Sequence, residues 1–217
     1  MLDHESIPVH TVRPRGIFQF ADKQLIESLV SRGWDIDTRD ESTSASPSDG
    51  KRLLEYFIRK RYGKEHLARW IIDEKNAAVE NTSTSTILET CASFGSVAMF
   101  KFLEKRGATL SPGTLHGAVE TAASKGVDPD TDADDAEMLR YLVDERGLDV
   151  NVIDDNAGTP ICCAARWERG VAVVRWLLRK GADPDLEDKD GRDALEFARE
   201  GKCHEVLALL EDWKRGG

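Results

Sequence analysis

The most regular apolar spacing in the chain lies just before Gly181. Val173, Val174, Leu177 and Leu178 recur at i, i+1, i+4 and i+5, which places them on one stripe of a helix. Gly181 stops that helix, since glycine accepts the positive φ of a helix C-terminus. Upstream, Thr159 and Pro160 open another helix, because proline's fixed φ and missing N–H suit a first turn. Between the two stripes, Ala164 and Ala165 are small enough for helices to approach closely. The polar run from Asp183-Pro184-Asp185 to Asp188-Lys189-Asp190-Gly191 predicts a tight turn, and a further helix starts near Asp193. Thr159 and Asp193 are 34 residues apart, so one helix-turn-helix-turn unit takes that length.

The same pattern recurs along the chain. ADKQLIESLVSRGWDID (21–37) is the second half of such a unit. GKEHLARWIIDEKNA (63–77) is another second half, preceded by a helix over about Arg52 to Arg61. TILETCASFGSVAMFKFLEKRGA (86–108) is a whole helix pair, with Cys91 and Ala92 at the small positions and Gly95 at the turn. GTLHGAV (113–119) and AEMLRYLVDERGLDVN (136–151) make a fourth, and DALEFAREGKCHEVLALLEDW (193–213) a sixth. Gly113 follows Thr86 by only 27 residues, which cuts short the connection ATLSP, whereas Thr159 follows Gly113 by 46. The surplus is an acidic insertion over 124–135, SKGVDPDTDADD. Residues 42–50, STSASPSDG, have the composition of a flexible loop. RPRGIFQF is too short for a full first helix, so an irregular cap is expected at that end.

These units resemble the ankyrin consensus, in which T-P-L-H-x-A-A opens the first helix, G-H-x-x-V-V-x-L-L-L forms the second and G-A-D-V-N leads into a β-turn finger. The resemblance implies an all-α ankyrin-repeat solenoid of about five to six stacked helix-turn-helix units. An irregular segment over 1–16 is expected to precede repeats at about 17–41, 51–80, 86–112, 113–157, 158–191 and 192–217. It also implies a partner protein gripped on a concave groove by finger tips and by the exposed side of each first helix. Carried onto this chain, those positions are Ile153, Asp155, Asn156, Arg166, Trp167, Glu187, Lys189, Asp190 and Arg192. Phe94 beside Ser93, and Glu120 beside Thr121, complete the set. Trp167 and Arg166 are residue types that dominate interface hot spots; packing of Trp167 against the ERG insertion is the competing reading. Trp34 is expected to pack under the first finger, and Trp70 and Trp176 to lie in the core. His116 stands at the histidine of the consensus, where the family uses it to tie first helices to turns.

Composition narrows the function. With 30 Lys and Arg against 40 Asp and Glu, the net charge is −10, which argues against nucleic-acid binding. The basic run Arg59, Lys60, Arg61 and Lys64 is expected to be a solvated helix face. The start MLDHESIPVH lacks the basic and apolar regions of a secretory signal. No stretch approaches about 18 consecutive apolar residues, so no membrane association and an intracellular location are expected. Asp149, Asp154, Asp155, Asp183, Asp185, Glu187, Asp188 and Asp190 gather in two adjacent turns. They suit a partner with a basic segment, or serve as turn and N-cap residues.

Little catalytic chemistry is visible. Cys91, Cys162, Cys163 and Cys203 form no CxxC pair and are expected to be reduced and packed. Asp128, Asp130 and Asp132 alternate like the start of a calcium loop, but Ala133 and Leu139 stand where glycine and glutamate are required. No nucleophile elbow, phosphate loop or HExxH motif is present. The expectation is a non-catalytic, cofactor-free interaction module or scaffold, a monomer on its own. The alternatives are a small enzyme using the groove as a pocket, with His116 and nearby acids moving protons, and self-association through the weakly capped first repeat.

Overall fold

The computed structural model describes residues 8–40, 51–79, 86–131, 134–154 and 158–216, the side chains of 134 and 135 excepted. The expected sites Asp155 and Asn156, and Asp132, lie outside the described residues. The chain divides into two compact units, residues 1–109 and 110–217. Each holds three consecutive helix pairs.

In unit 1 the pairs are α1 (Pro14–Ile17) with α2 (Lys23–Ser31), α3 (Leu53–Phe57) with α4 (Glu65–Lys75), and α5 (Ile87–Phe94) with α6 (Val97–Lys105). The first helices α1 and α5 both pack against α3. Ile26, Leu54, Phe57, Ile71, Leu88, Met99, Phe100 and Leu103 fill the space between them, each fully buried. Burial of each such side chain contributes about 1.5–3 kcal/mol relative to exposure. α1 is a single turn. A two-residue antiparallel ladder, β1 (Arg39–Asp40) with β2 (Lys51–Arg52), flanks the segment expected to be a polar loop. That segment, 42–50, lies outside the described residues, and nothing in its apolar pattern signalled the ladder.

The helix expected over Arg52 to Arg61 ends early. It stops at Phe57, the backbone turns extended at Arg59, and a single 3-10 turn over Lys60–Tyr62 leads to Gly63. The turn sends the Arg59 side chain down against the Phe94 ring rather than out into water. Trp70 also departs from expectation, being half-buried rather than in the core. Its ring lies 5.5 Å from the Lys23 ammonium and 5.1 Å from that of Lys75, so the indole carries two lysines at a wet edge. Trp34 and Trp176 are buried as expected, and the Trp34 indole N–H donates to the Val12 carbonyl at 3.2 Å.

Unit 2 comprises α7 (Gly113–Lys125), α8 (Asp134–Arg140), α9 (Pro160–Ala165), α10 (Val171–Arg179), α11 (Ala194–Glu200) and α12 (His204–Gly216). α9 lies between α7 and α11, with α10 and α12 packed behind. Thr159 and Pro160 start α9, Asp193 caps α11, and the Thr86–Glu89 capping box starts α5 in unit 1. Val173, Val174, Leu177 and Leu178 form the buried stripe of α10.

Second helices close in two ways. After α2, α6 and α10 the chain bonds back five residues, from Trp34 to Leu29, Ala108 to Leu103 and Ala182 to Leu177. After α4 and α8 it bonds back six, from Ala77 to Ile71 and Leu148 to Leu142. These two helices each carry one extra residue, and in α8 it is absorbed as a π turn over Tyr141–Glu145.

Glycines hold the stack close where a helix pair turns back. A methyl group on Gly201 would sit 2.6 Å from the Arg166 carbonyl and 2.9 Å from Cys203 Sγ. A methyl on Gly95 would sit 2.5 Å from Cys91 Sγ and 3.0 Å from the Ile58 carbonyl. In each case the crowded carbonyl lies just past the first helix of the preceding pair. Gly201→Ala is therefore expected to destabilise the protein by about 1–3 kcal/mol. Gly16→Ala, with nothing within 4 Å, should change stability little. Chemical denaturation of both variants checks this, and an equal effect of the two would contradict the packing account.

Candidate functional site

The expected partner-binding positions in unit 2 sit on two fingers and the ends of first helices. The first finger is closed at its base by a bridge in which the amides and carbonyls of Asp154 and Gly158 exchange bonds of 2.9 and 3.0 Å. Ile153, just before it, is 50% exposed. The ring of His116, on α7, meets the Gly158 carbonyl at 2.8 Å through Nε2 and the Pro112 carbonyl at 2.8 Å through Nδ1. Only 4% exposed, it ties a first helix to the following finger.

The second finger is held by one carboxylate. Asp188 accepts from the amides of Asp190 and Arg192, both at 2.9 Å, and from the Arg192 guanidinium at 3.0 and 2.7 Å. Arg192 also reaches Asp190 at 3.3 Å and Glu200 at 3.5 Å. Glu187, Lys189 and Asp190 are exposed at the tip. Burial works against the charge of Asp188, but the side-chain and backbone hydrogen bonds with Arg192 and the Asp190 amide outweigh it, holding its carboxyl below the usual range.

Beyond the finger, the Arg166 guanidinium lies 5.0 Å and that of Arg192 4.7 Å from the ring of Phe197. Phe197 is 2% exposed, so both cations lie over an otherwise buried ring. Trp167 follows at the end of α9 with 37% of its surface exposed. α9 is six residues long, about 9 Å of helix, so it separates Ile153 and the first finger from Trp167. Glu120 is exposed on α7. Phe94 belongs to unit 1, where it is 40% exposed under the Arg59 guanidinium.

The aspartates of the fingers recur in one local role. The side chains of Asp35, Asp149, Asp183 and Asp188 each accept the amide two residues on, the turn that this residue type favours. Lys214 pairs with Asp185, and also with Asp193 at 3.2 Å. Part of the acidic cluster is thus neutralised within the chain.

Residues not singled out in the sequence stitch neighbouring pairs. Asn151 donates to the Gly181 carbonyl at 3.0 Å and accepts from the Asp183 amide at 2.8 Å. In unit 1, Asp37 accepts from the Ala78 amide at 3.1 Å and faces Arg52 at 3.6 Å. Both stand at the last position of the G-A-D-V-N signature, which was the available clue.

The four cysteines are free and buried. Burial raises the Cys91 thiol well above its usual range and, with Arg166 opposing, pushes Cys163 up to about 12, so both stay protonated and inert. Asp128 accepts the Asp130 amide at 3.0 Å, and Asp130 pairs with Arg179. Arg140 donates to the carbonyls of Pro129 and Thr131. Among the described residues no three metal-ligating side chains come together, and no helix is long and apolar enough to cross a membrane.

Residues 130–214 match the family described as "Ankyrin repeats (3 copies)". This part of the chain is built of ankyrin repeats. A 64-residue stretch, 30% of the chain, is 45% identical to the "E3 ubiquitin-protein ligase hecd-1" of Caenorhabditis elegans, of whose length it spans 2%. Over 175 residues the chain is 22% identical to a "Putative ankyrin repeat protein" of Rickettsia bellii (strain RML369-C), covering 76% of this chain and 90% of that protein. Ankyrin repeats generally mediate protein–protein interaction, and the family is generally non-enzymatic.

The Asp188 carboxylate gives this chain a pH-dependent component of stability. Because its folded pKa lies below the unfolded value of about 3.9, the contribution is complete at neutral pH and is lost as pH falls through the folded value. Asp188→Asn is expected to melt lower than wild type at pH 7, the gap narrowing below about pH 4. Thermal melts from neutral to acid pH check this, and a gap constant in pH would overturn it.

Proposed function

We propose that the protein is a non-catalytic interaction module that captures one protein partner on the finger and first-helix surface of unit 2. The observation that carries this reading is the exposure of Trp167 and Ile153, two large apolar side chains flanking α9. A half-exposed tryptophan beside an arginine is the composition of a binding hot spot. Arg166 is already oriented by the Phe197 ring, so little side-chain freedom is lost when a partner docks. The tip residues Glu187, Lys189 and Asp190 form the polar rim of this site.

The exposed carboxylates Asp149, Asp183 and Glu187 favour a partner segment with lysine or arginine near the fingers, and would speed its encounter at low salt. His116, bonded through both ring nitrogens, and the buried thiols favour binding over catalysis. The module acts as a monomer.

The double variant Trp167→Ala and Ile153→Ser is expected to lose partners that the wild-type protein retains from native lysate, with reconstitution from purified components. Its melting temperature should stay within a few degrees of wild type, since surface changes usually stay within about 0.5 kcal/mol. Undiminished capture by a folded variant would refute the assignment.

A further inference from the structure

Within the basic run after α3, Lys60 and Arg61 are exposed as expected, but Arg59 is not. Arg59 is 8% exposed, its guanidinium is 4.1 Å from the Phe94 ring centre, and its Nε is buried without a hydrogen-bond partner. Among the described residues no carboxylate pairs with it. Buried guanidinium groups ordinarily have an anion. Arg61 bonds to the Tyr62 hydroxyl at 2.5 Å and lies 4.6 Å from that ring. Phe18 stacks on Tyr56 at 4.6 Å and meets Tyr62 edge-on at 4.9 Å. Cations and aromatic rings therefore alternate over one surface of unit 1. Phe94 is 40% exposed there.

The charges around this surface are unbalanced. Arg59 and Arg61 face Lys51, and Arg15 and Arg59 face Tyr56. Among the described residues the carboxylates on the same side are Asp40, which is fully buried, and Glu55, which pairs with Arg52 at 3.4 Å. Burial, then the neighbouring arginines, with Glu55 opposing, lower the Lys51 ammonium; burial and Arg61 lower the Arg59 guanidinium. An incoming anion relieves both.

We propose that this surface of unit 1 binds an acidic peptide segment of a protein partner, with a carboxylate on Arg59 and an apolar side chain covering Phe94. Guanidinium presents a planar fork to a carboxylate, and the ring beneath fixes its plane. A peptide suits the surface better than a nucleic acid. Four cations serve a few carboxylates, whereas a phosphate backbone meets a chain of net charge −10. Peptide side chains also give the exposed Phe94 ring apolar cover.

The test is fluorescence anisotropy on the full chain. The probes are a labelled dodecapeptide of alternating glutamate and leucine, its lysine and leucine counterpart, and a labelled single-stranded dodecanucleotide. Saturable binding of the acidic peptide alone is expected, weakening as salt rises to about 300 mM. Arg59→Met should weaken it roughly tenfold or more. Because Arg59 is buried, the exposed double variant Arg15→Ser and Arg61→Ser is measured too, with circular dichroism reporting the fold; it should lose affinity with the fold intact. Trp167→Ala should bind the acidic peptide as wild type does, which separates this surface from the unit 2 site. No binding of the acidic peptide, undiminished binding by both arginine variants, equal loss with Trp167→Ala, or tighter binding of the nucleotide would each overturn the proposal.

Discussion

The first helices of unit 2 are held together by small side chains, and the rest of that unit follows from their closeness. Ala118, Ala122 and Ala123 of α7 and Ala164 and Ala165 of α9 are all buried, so the helices meet nearly backbone to backbone. A methyl group added at Gly170 would sit 3.2 Å from the Ala123 side chain. At that separation there is no room for water to satisfy stray polar groups. The turns between helices must then find protein partners for their amides and carbonyls. His116, Asn151 and Asp188 supply them in unit 2, as Asp37 does in unit 1. Close helices and side-chain stitches are two consequences of one constraint.

Much of this was legible in the residues. Apolar spacing located α10, the small pair at Ala164 and Ala165 located the close approach, and Gly181 located the helix end. Each is a local signal, since the 3.6-residue period and glycine's tolerance of positive φ act over a few positions. The misreadings came where a distant residue decided the outcome. Nothing near Arg59 says that Phe94, one pair later, will draw it under cover and end α3 at Phe57. Nothing near Trp70 says that Lys23 and Lys75 will take its ring. The β1–β2 ladder is two residues on each side, too short to show an alternation. The extra residue in α8 was readable as the later arrival of Gly147, but its resolution as a π turn was not.

The candidate surface was legible in part. Trp167 and Ile153 are exposed, as a binding surface requires, and the first-helix and finger frame that would place them follows from the repeat. Arg192 is different, because its guanidinium is engaged by Asp188, Asp190 and Glu200 before any partner arrives. Its part on this surface is to hold the second finger, and with Arg166 to roof Phe197. Sequence identifies which residue types stand at the surface positions of a repeat. It does not say which of them are already spent on neighbours, since that depends on side chains several residues or a whole helix away.

The balance of charge within the units bears on what each can hold. The chain is acidic overall, yet its aspartates are largely placed where backbone amides or lysines answer them. Asp183 and Asp188 serve their own turns, Asp185 answers Lys214, and Asp130 answers Arg179. Among the described residues Arg59 has no such answer, although the sequence offers ten more acids than bases. A surplus of carboxylates and an unpaired buried guanidinium coexist only if packing, rather than pairing, fixed the arginine. Phe94 provides that packing: the ring lies 4.1 Å from the guanidinium, whose Nε is left without a hydrogen-bond partner. Such a group is stabilised by a carboxylate from elsewhere more than a solvated lysine would be, because its hydration has already been lost on folding. Net charge describes the molecule at a distance, whereas the selectivity of a contact is set by groups the fold has desolvated and left unpaired.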